Sequence, residues 1–228
     1  MNIITLGRHG LVARFGVLAL LIGAPAVSRA SIVFSNFAAS DGYNTTQGNE
    51  IGNDGVGDNL AQADTFTAGS NFTFTGLTIA LSCLSNGSCP DSFSVDLVAD
   101  SGGLPNTSSV LESFSVAGTS LQVLGGSGVV TLNSVLNPML TAGTSYWIAV
   151  LSDLNDHIAW NLNTTSDASA EATAFAGGLP GDTWFALGAT PGAYEVDGTV
   201  GSGTPEPGTL SMMLGGGLLL GLIRKIRG

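Results

Sequence analysis

The chain has 228 residues and a formal net charge of −11, with six Lys and Arg against seventeen Asp and Glu. All six basic side chains lie in the end segments, at Arg8, Arg14, Arg29, Arg224, Lys225 and Arg227, whereas the acidic ones fall between Asp41 and Glu206. The middle of the chain thus has no basic patch for phosphates and no Lys or Arg for an ordinary ion pair, which excludes nucleic-acid binding. Its carboxylates keep the domain soluble, or they collect a cation such as calcium.

Residues 1–30 read as a secretory signal. Arg8 and Arg14 form a positive n-region, Phe15 to Ala26 supply the apolar stretch, and Ser28 and Ala30 are small residues spaced for signal peptidase. Cleavage is expected after Ala30, with Ala24 and Ala26 offering an earlier cut after Ala26. A permanent N-terminal anchor is the competing reading. The junction has no Cys, so a lipoprotein is not indicated.

Residues 31–200 have the period of two that belongs to strands, with no sustained helical period. The predicted fold is all-β, an antiparallel β-sandwich of jelly-roll type. About ten strands are expected: Ile32 to Phe37, Phe72 to Leu81, Phe93 to Leu97, Val110 to Val116, Leu121 to Leu124, Val129 to Leu136, Ser145 to Leu151, Ile158 to Leu162, Thr183 to Leu187 and Tyr194 to Val200. Asp41 to Asn59, rich in Gly and Asn, reads as a long loop. Within it, Asn53 to Asn59 loosely resembles a calcium loop but lacks the EF-hand Glu, so a plain Gly-Asn turn is expected and no metal or cofactor is assigned.

Phe72 and Phe74 are followed by Leu77, Ile79 and Leu81, a one-residue slip of the apolar phase at Gly76 that predicts a β-bulge. Cys83 and Cys89 bracket five residues between two strand-like runs, and in an exported domain they are expected to form a disulfide across a hairpin. Two thiols without a nearby His or further Cys make a poor zinc set. Tyr146 to Leu151 is apolar at every position and is predicted to be a central strand, buried on both faces.

Catalytic constellations are scarce. His157 is the only histidine of the domain and has no nucleophile elbow beside it, so it is expected at a strand edge or in a loop. Asp153, Asp156 and other carboxylates could in principle form a glycosidase pair, but sequence spacing cannot show that two of them face one cleft. Among the tryptophans, Trp160 should point inward with Ile158 and Leu162, which leaves Trp184 as the candidate platform for a sugar.

The C-terminus has three parts in order. Residues 201–209 are a flexible linker carrying Pro205, Glu206 and Pro207, and residues 210–228 hold an apolar run from Leu210 to Ile223 and then Arg224, Lys225 and Arg227. Fourteen residues make about 21 Å of helix, short for a hydrocarbon core of about 30 Å, and Gly215, Gly216 and Gly217 weaken that helix further. A short transmembrane helix is nonetheless expected, with the basic cluster cytoplasmic and the β domain outside.

This order resembles the PEP-CTERM sorting signal of Gram-negative bacteria, over about Thr204 to Gly228. The resemblance implies that Pro205, Glu206 and Pro207 are the motif recognised by an exosortase-type membrane enzyme, and that Arg224, Lys225 and Arg227 retain the chain in the membrane until it is processed. The domain between about Ala61 and Val200 is similar to the choice-of-anchor domains, type R above all, through the runs Gln62 to Thr67, Ser94 to Asp100 with Gly102 to Pro105, and Leu140 to Ile148, with Trp160 in the next strand. That implies a cell-surface β-sandwich and carries no known activity.

The leading functional expectation is a non-enzymatic surface or matrix component, with signal peptidase and an exosortase-type enzyme as processing partners and extracellular polysaccharide as the class of surface partner. A carbohydrate-binding module is the alternative, and a secreted glycan-acting enzyme stands third.

Overall fold

Side chains that alternate between apolar and polar favour pleated strands with one buried face. A computed structural model, which describes residues 30–53, 58–84, 89, 92–151 and 157–200, is accordingly all-β. The signal segment, the tail with its motif and basic cluster, Asp153 and Asp156 lie outside the described residues.

The strands, in chain order, are β1 (Ser31–Ser35), β2 (Gly48–Asn53), β3 (Asn59–Thr67), β4 (Phe72–Ile79), β5 (Leu81–Cys83), β6 (Ser92–Asp100), β7 (Pro105–Ala117), β8 (Gln122–Val123), β9 (Val130–Asn133), β10 (Met139–Leu140), β11 (Ser145–Leu151), β12 (His157–Asn161), β13 (Glu171–Ala174), β14 (Trp184–Leu187) and β15 (Tyr194–Val200). The smaller sheet runs β1-β15-β4, with β9 and β10 sharing the far edge of β4. The larger runs β7-β6-β11-β3-β2-β12-β5-β8 and forks at β3, which pairs with β2 through residues 59–60 and with β13 through residues 61–64. All pairings are antiparallel except the short one between β5 and β8.

The two sheets face each other across a shared core. Phe72, Phe74, Leu77, Ile79, Tyr194 and Val196 from the smaller sheet meet Phe66, Val95, Leu97, Ile148, Val150, Ile158 and Trp160 from the larger. β11 lies between β3 and β6 and is covered on both faces, as its uninterrupted apolar sequence predicts. Tyr146, Ile148 and Val150 enter the inter-sheet core, whereas Trp147, Ala149 and Leu151 enter a second cluster with Ala61, Ala63, Val98, Ala172, Ala174 and Trp184.

The bulge expected at Gly76 is present. Asp197 pairs with Gly76 and Gly198 with Phe74, so Thr75 is the extra residue and both apolar pairs of β4 face inward. A Cβ on Gly76 would lie 2.9 Å from the Leu132 carbonyl oxygen, which is why this position has no side chain.

Two expectations are corrected. The stretch Asp41 to Asn59 is not one loop but contains β2, which its Gly and Asn residues disguised. The cysteines lie at disulfide distance, with their Cα atoms 5.7 Å apart, yet they do not bridge a hairpin. β5 pairs with β12 and β8, and β6 with β11 and β7, so the link spans a crossover between strands far apart in the sheet order. Both cysteines are buried in the inter-sheet core. In protein prepared without reductant, thiol-labelling reagents should leave Cys83 and Cys89 unmodified even after denaturation, and reduction should cost about 2 to 3 kcal/mol of stability. Stoichiometric labelling of both without reductant would contradict the pairing.

Candidate functional site

The most unusual chemistry lies where the larger sheet forks. On β3, Phe66 points into the inter-sheet core, and the period of two places Asp64 and Gln62 on the same face. β13 lies alongside in register, with Glu171 opposite Asp64 and Thr173 opposite Gln62. Two carboxyl groups therefore stand side by side, each on a residue only 1% exposed.

Their first task is visible in the segment 188–193, an irregular strap between β14 and β15. Its backbone pairs with the chain after β12 only through an isolated antiparallel bridge, Leu162 with Gly192, so its remaining polar groups need other partners. The Glu171 carboxyl accepts the Ala189 amide, and Asp64 Oδ2 accepts the Gly192 amide at 2.7 Å. Asn49 Nδ2 donates to Glu171 Oε1 and to the Thr190 carbonyl, the latter at 3.1 Å. The carbonyls of Pro191, Gly192 and Ala193 accept from Asn163 Nδ2 (2.9 Å), Asn36 Nδ2 (2.9 Å) and Trp160 Nε1 (3.1 Å).

A second ring of groups holds the first. Asn36 Nδ2 also donates to Asp167 Oδ2 at 3.1 Å, and Asn36 Oδ1 accepts the Tyr194 amide at 2.7 Å. The Tyr194 hydroxyl donates to the Thr65 carbonyl at 2.8 Å, tying the strap's far end to β3.

Burial pushes the Asp64 carboxyl well above the usual carboxylate range; the charges of Glu171 and Asp167 add to this, and the Gly192 amide opposes it. Burial likewise pushes Glu171 up to about 7 against the Ala189 amide. The Tyr194 hydroxyl is raised by burial and then by Asp64 and Asp167. Three oxygens in this group, Asp64 Oδ1, Glu171 Oε2 and Gln62 Oε1, have no protein hydrogen-bond partner.

Facing carboxyls could serve acid–base chemistry on a glycosidic bond. Here both are sealed beneath the strap, so in this conformation they bind the protein's own backbone. Among the described residues no three His, Cys, Asp or Glu side chains are placed to hold a metal ion.

The singled-out residues lie elsewhere. His157 opens β12, half-exposed, with Nε2 2.8 Å from Glu50 Oε1. Asn53 and Asn59 pair across the β2–β3 connection. Trp160 is buried with Ile158, as alternation predicts. Trp184 is not a surface platform: it is 6% exposed and packs with Trp147, Leu151 and Ala61 on the outer face of the larger sheet. The exposed aromatic pair is instead Phe175 and Phe185, with ring centroids 5.7 Å apart.

The carboxyl pair itself escaped sequence reasoning because β3 and β13 read as polar. Their inner-face positions hold Gln62, Asp64, Glu171 and Thr173, while the residues between are alanines buried on the outer face. The usable signal was the spacing of those alanines at Ala61 and Ala63, and at Ala172 and Ala174, which marks two strands whose outer face is closely covered.

No family model, curated protein or solved structure matches this chain.

A Cβ on Gly192 would fall 2.2 Å from Trp160 Cδ1, while a Cβ on Gly188 would meet nothing within 4 Å. Gly192→Ala should therefore lower the melting temperature by several degrees, corresponding to about 1 to 3 kcal/mol of overpacking. Gly188→Ala should leave it within about a degree. Equal effects of the two in thermal unfolding would show that the strap is not clamped against Trp160.

Proposed function

We propose that this chain is an exported surface protein of the PEP-CTERM kind, whose β domain has a structural or interaction role outside the cell. The observation that carries the proposal is the ordered tail: Pro205, Glu206 and Pro207, then the apolar run Leu210 to Ile223, then Arg224, Lys225 and Arg227. A Gly-broken run of fourteen residues is a poor permanent anchor, but with basic residues behind it, it holds a chain in the membrane long enough for processing.

The arrangement of the domain supports this reading. β1 begins at Ser31, immediately after the expected cut at Ala30, and pairs antiparallel with β15 so that Ser31 lies opposite Gly198. The mature N-terminus and the start of the 201–209 linker then leave the domain side by side, and a tether need not cross its surface. We read the domain as a jelly-roll-class sandwich of the choice-of-anchor group, meeting extracellular polysaccharide without catalysis. Signal peptidase and an exosortase-type enzyme are its processing partners. A sugar-binding reading moves from Trp184 to the exposed Phe175 and Phe185.

Replacing Pro205, Glu206 and Pro207 with Ala should leave unprocessed precursor in the membrane fraction. Replacing Arg224, Lys225 and Arg227 with Ser should release or mislocalise the chain. Fractionation with intact-mass measurement reads both outcomes, and wild-type mass at the surface for both variants would overturn the sorting proposal.

A further inference from the structure

We propose that Asp64 and Glu171 share a proton across β3 and β13, and that this proton locks the 188–193 strap onto the domain, so that the strap loosens as pH rises past neutrality. The first argument is an accounting of hydrogen bonds. An ionised carboxylate only accepts, as does an amide oxygen, so Asp64 Oδ1, Glu171 Oε2 and Gln62 Oε1 are three buried acceptors without a donor. Buried polar groups left unpaired are costly. One proton on the pair turns an acceptor into a donor. Residues directly opposite on antiparallel strands have Cβ atoms about 4.5 to 5.5 Å apart, within reach of a carboxyl–carboxyl hydrogen bond.

The second argument is that nothing else nearby can neutralise the pair. The residues from Ser31 to Thr204 include no Lys or Arg. β2 brings Asn49, whose amide is already bonded to Glu171 and Thr190, and Glu50, whose carboxylate is held by His157. β11 brings the apolar Ile148 opposite Asp64. The segment before β13 brings Asp167, a further negative charge, bonded to Asn36 and Ser169. β15 brings Tyr194, whose hydroxyl is donated to Thr65. The strap contributes only backbone amides.

The third argument connects the proton to the strap. Glu171 holds the strap at Ala189 and Asp64 holds it at Gly192. Loss of the shared proton would set two like charges side by side away from water, directly beneath the segment both of them grip. A carboxyl that holds its proton more tightly when folded contributes stability that is fully present below the unfolded carboxylate range, near pH 4. That contribution is lost as pH rises through the folded midpoint, about 7 for Glu171. The window is therefore about pH 5 to 8.

Thermal unfolding of the wild-type domain and of Glu171→Gln across that window tests the lock. The amide of Gln can donate the missing hydrogen bond but cannot titrate. Wild type should lose about 5 to 10 °C more than the variant between pH 5 and pH 8. Parallel curves would overturn the proposal, because the fall would then belong to groups outside the pair. A stabilisation of wild type by millimolar Ca²⁺ at pH 8 that Glu171→Gln abolishes would also overturn it, making the pair a cation site. If the variant does not fold, hydrogen exchange of the wild-type strap amides decides. Ala189 and Gly192 should lose protection relative to Ile148 as pH rises, and an unchanged ratio would contradict the lock.

Discussion

A domain without Lys or Arg has to satisfy every buried carboxyl with a donor that carries no charge, and that constraint runs through the whole structure. Asp64 takes the Gly192 amide, and Glu171 takes the Ala189 amide and the side chain of Asn49. Asp96 takes the Ser113 hydroxyl at 2.6 Å. Glu112 takes the Ser134 hydroxyl together with the amides of Val135 (2.5 Å) and Leu136 (3.1 Å). In each case the carboxyl fastens a neighbouring strand or an irregular segment. Part of the acidity thus forms a set of internal clamps built on uncharged donors, in a domain that has no Lys or Arg.

The clamps matter because the larger sheet is covered on both faces. Its inner face meets the smaller sheet through large side chains, and its outer face is closed by alanines together with Trp147, Leu151 and Trp184. The small outer residues let the β13–β14 hairpin and its connecting loop lie close. A Cβ on Gly178 would come within 2.8 Å of Leu151, Trp184 and Ala61. The same hairpin carries Glu171 inward beside Asp64. One short element thus closes the second core and completes the carboxyl pair.

What the sequence revealed follows from how strongly each position is constrained by burial. β11 was legible because it is apolar throughout, and the bulge in β4 because the phase of its apolar residues slips at Gly76. β15 was legible to the residue, since Tyr194 and Val196 alternate with polar neighbours. β2 was hidden by glycine and asparagine, whose strand conformation comes from pairing with β12 and not from propensity. β3 and β13 were hidden because Gln62, Asp64, Glu171 and Thr173 on their inner face are polar, and the hydrophobic pattern is blind to a polar group whose burial is enabled by a distant strap. Trp184 was misplaced because nothing in its own run, Thr183 to Leu187, distinguishes the residue that enters the outer core from its exposed neighbours Phe185 and Leu187. The proposed export signals are of another kind: they are read from residue order in segments outside the described residues.

The central claim is a protonated carboxyl pair in a domain with no Lys or Arg, and its most direct measurement is a carbon-13 NMR titration of the Asp64 and Glu171 carboxyl groups between about pH 4 and pH 9. The account predicts that the pair stays protonated far above the usual carboxylate range, with Glu171 changing near pH 7 and Asp64 above the ordinary range. Both groups titrating in the ordinary carboxylate range, at about pH 4, would show that the pair is ionised in the folded protein and would contradict the account.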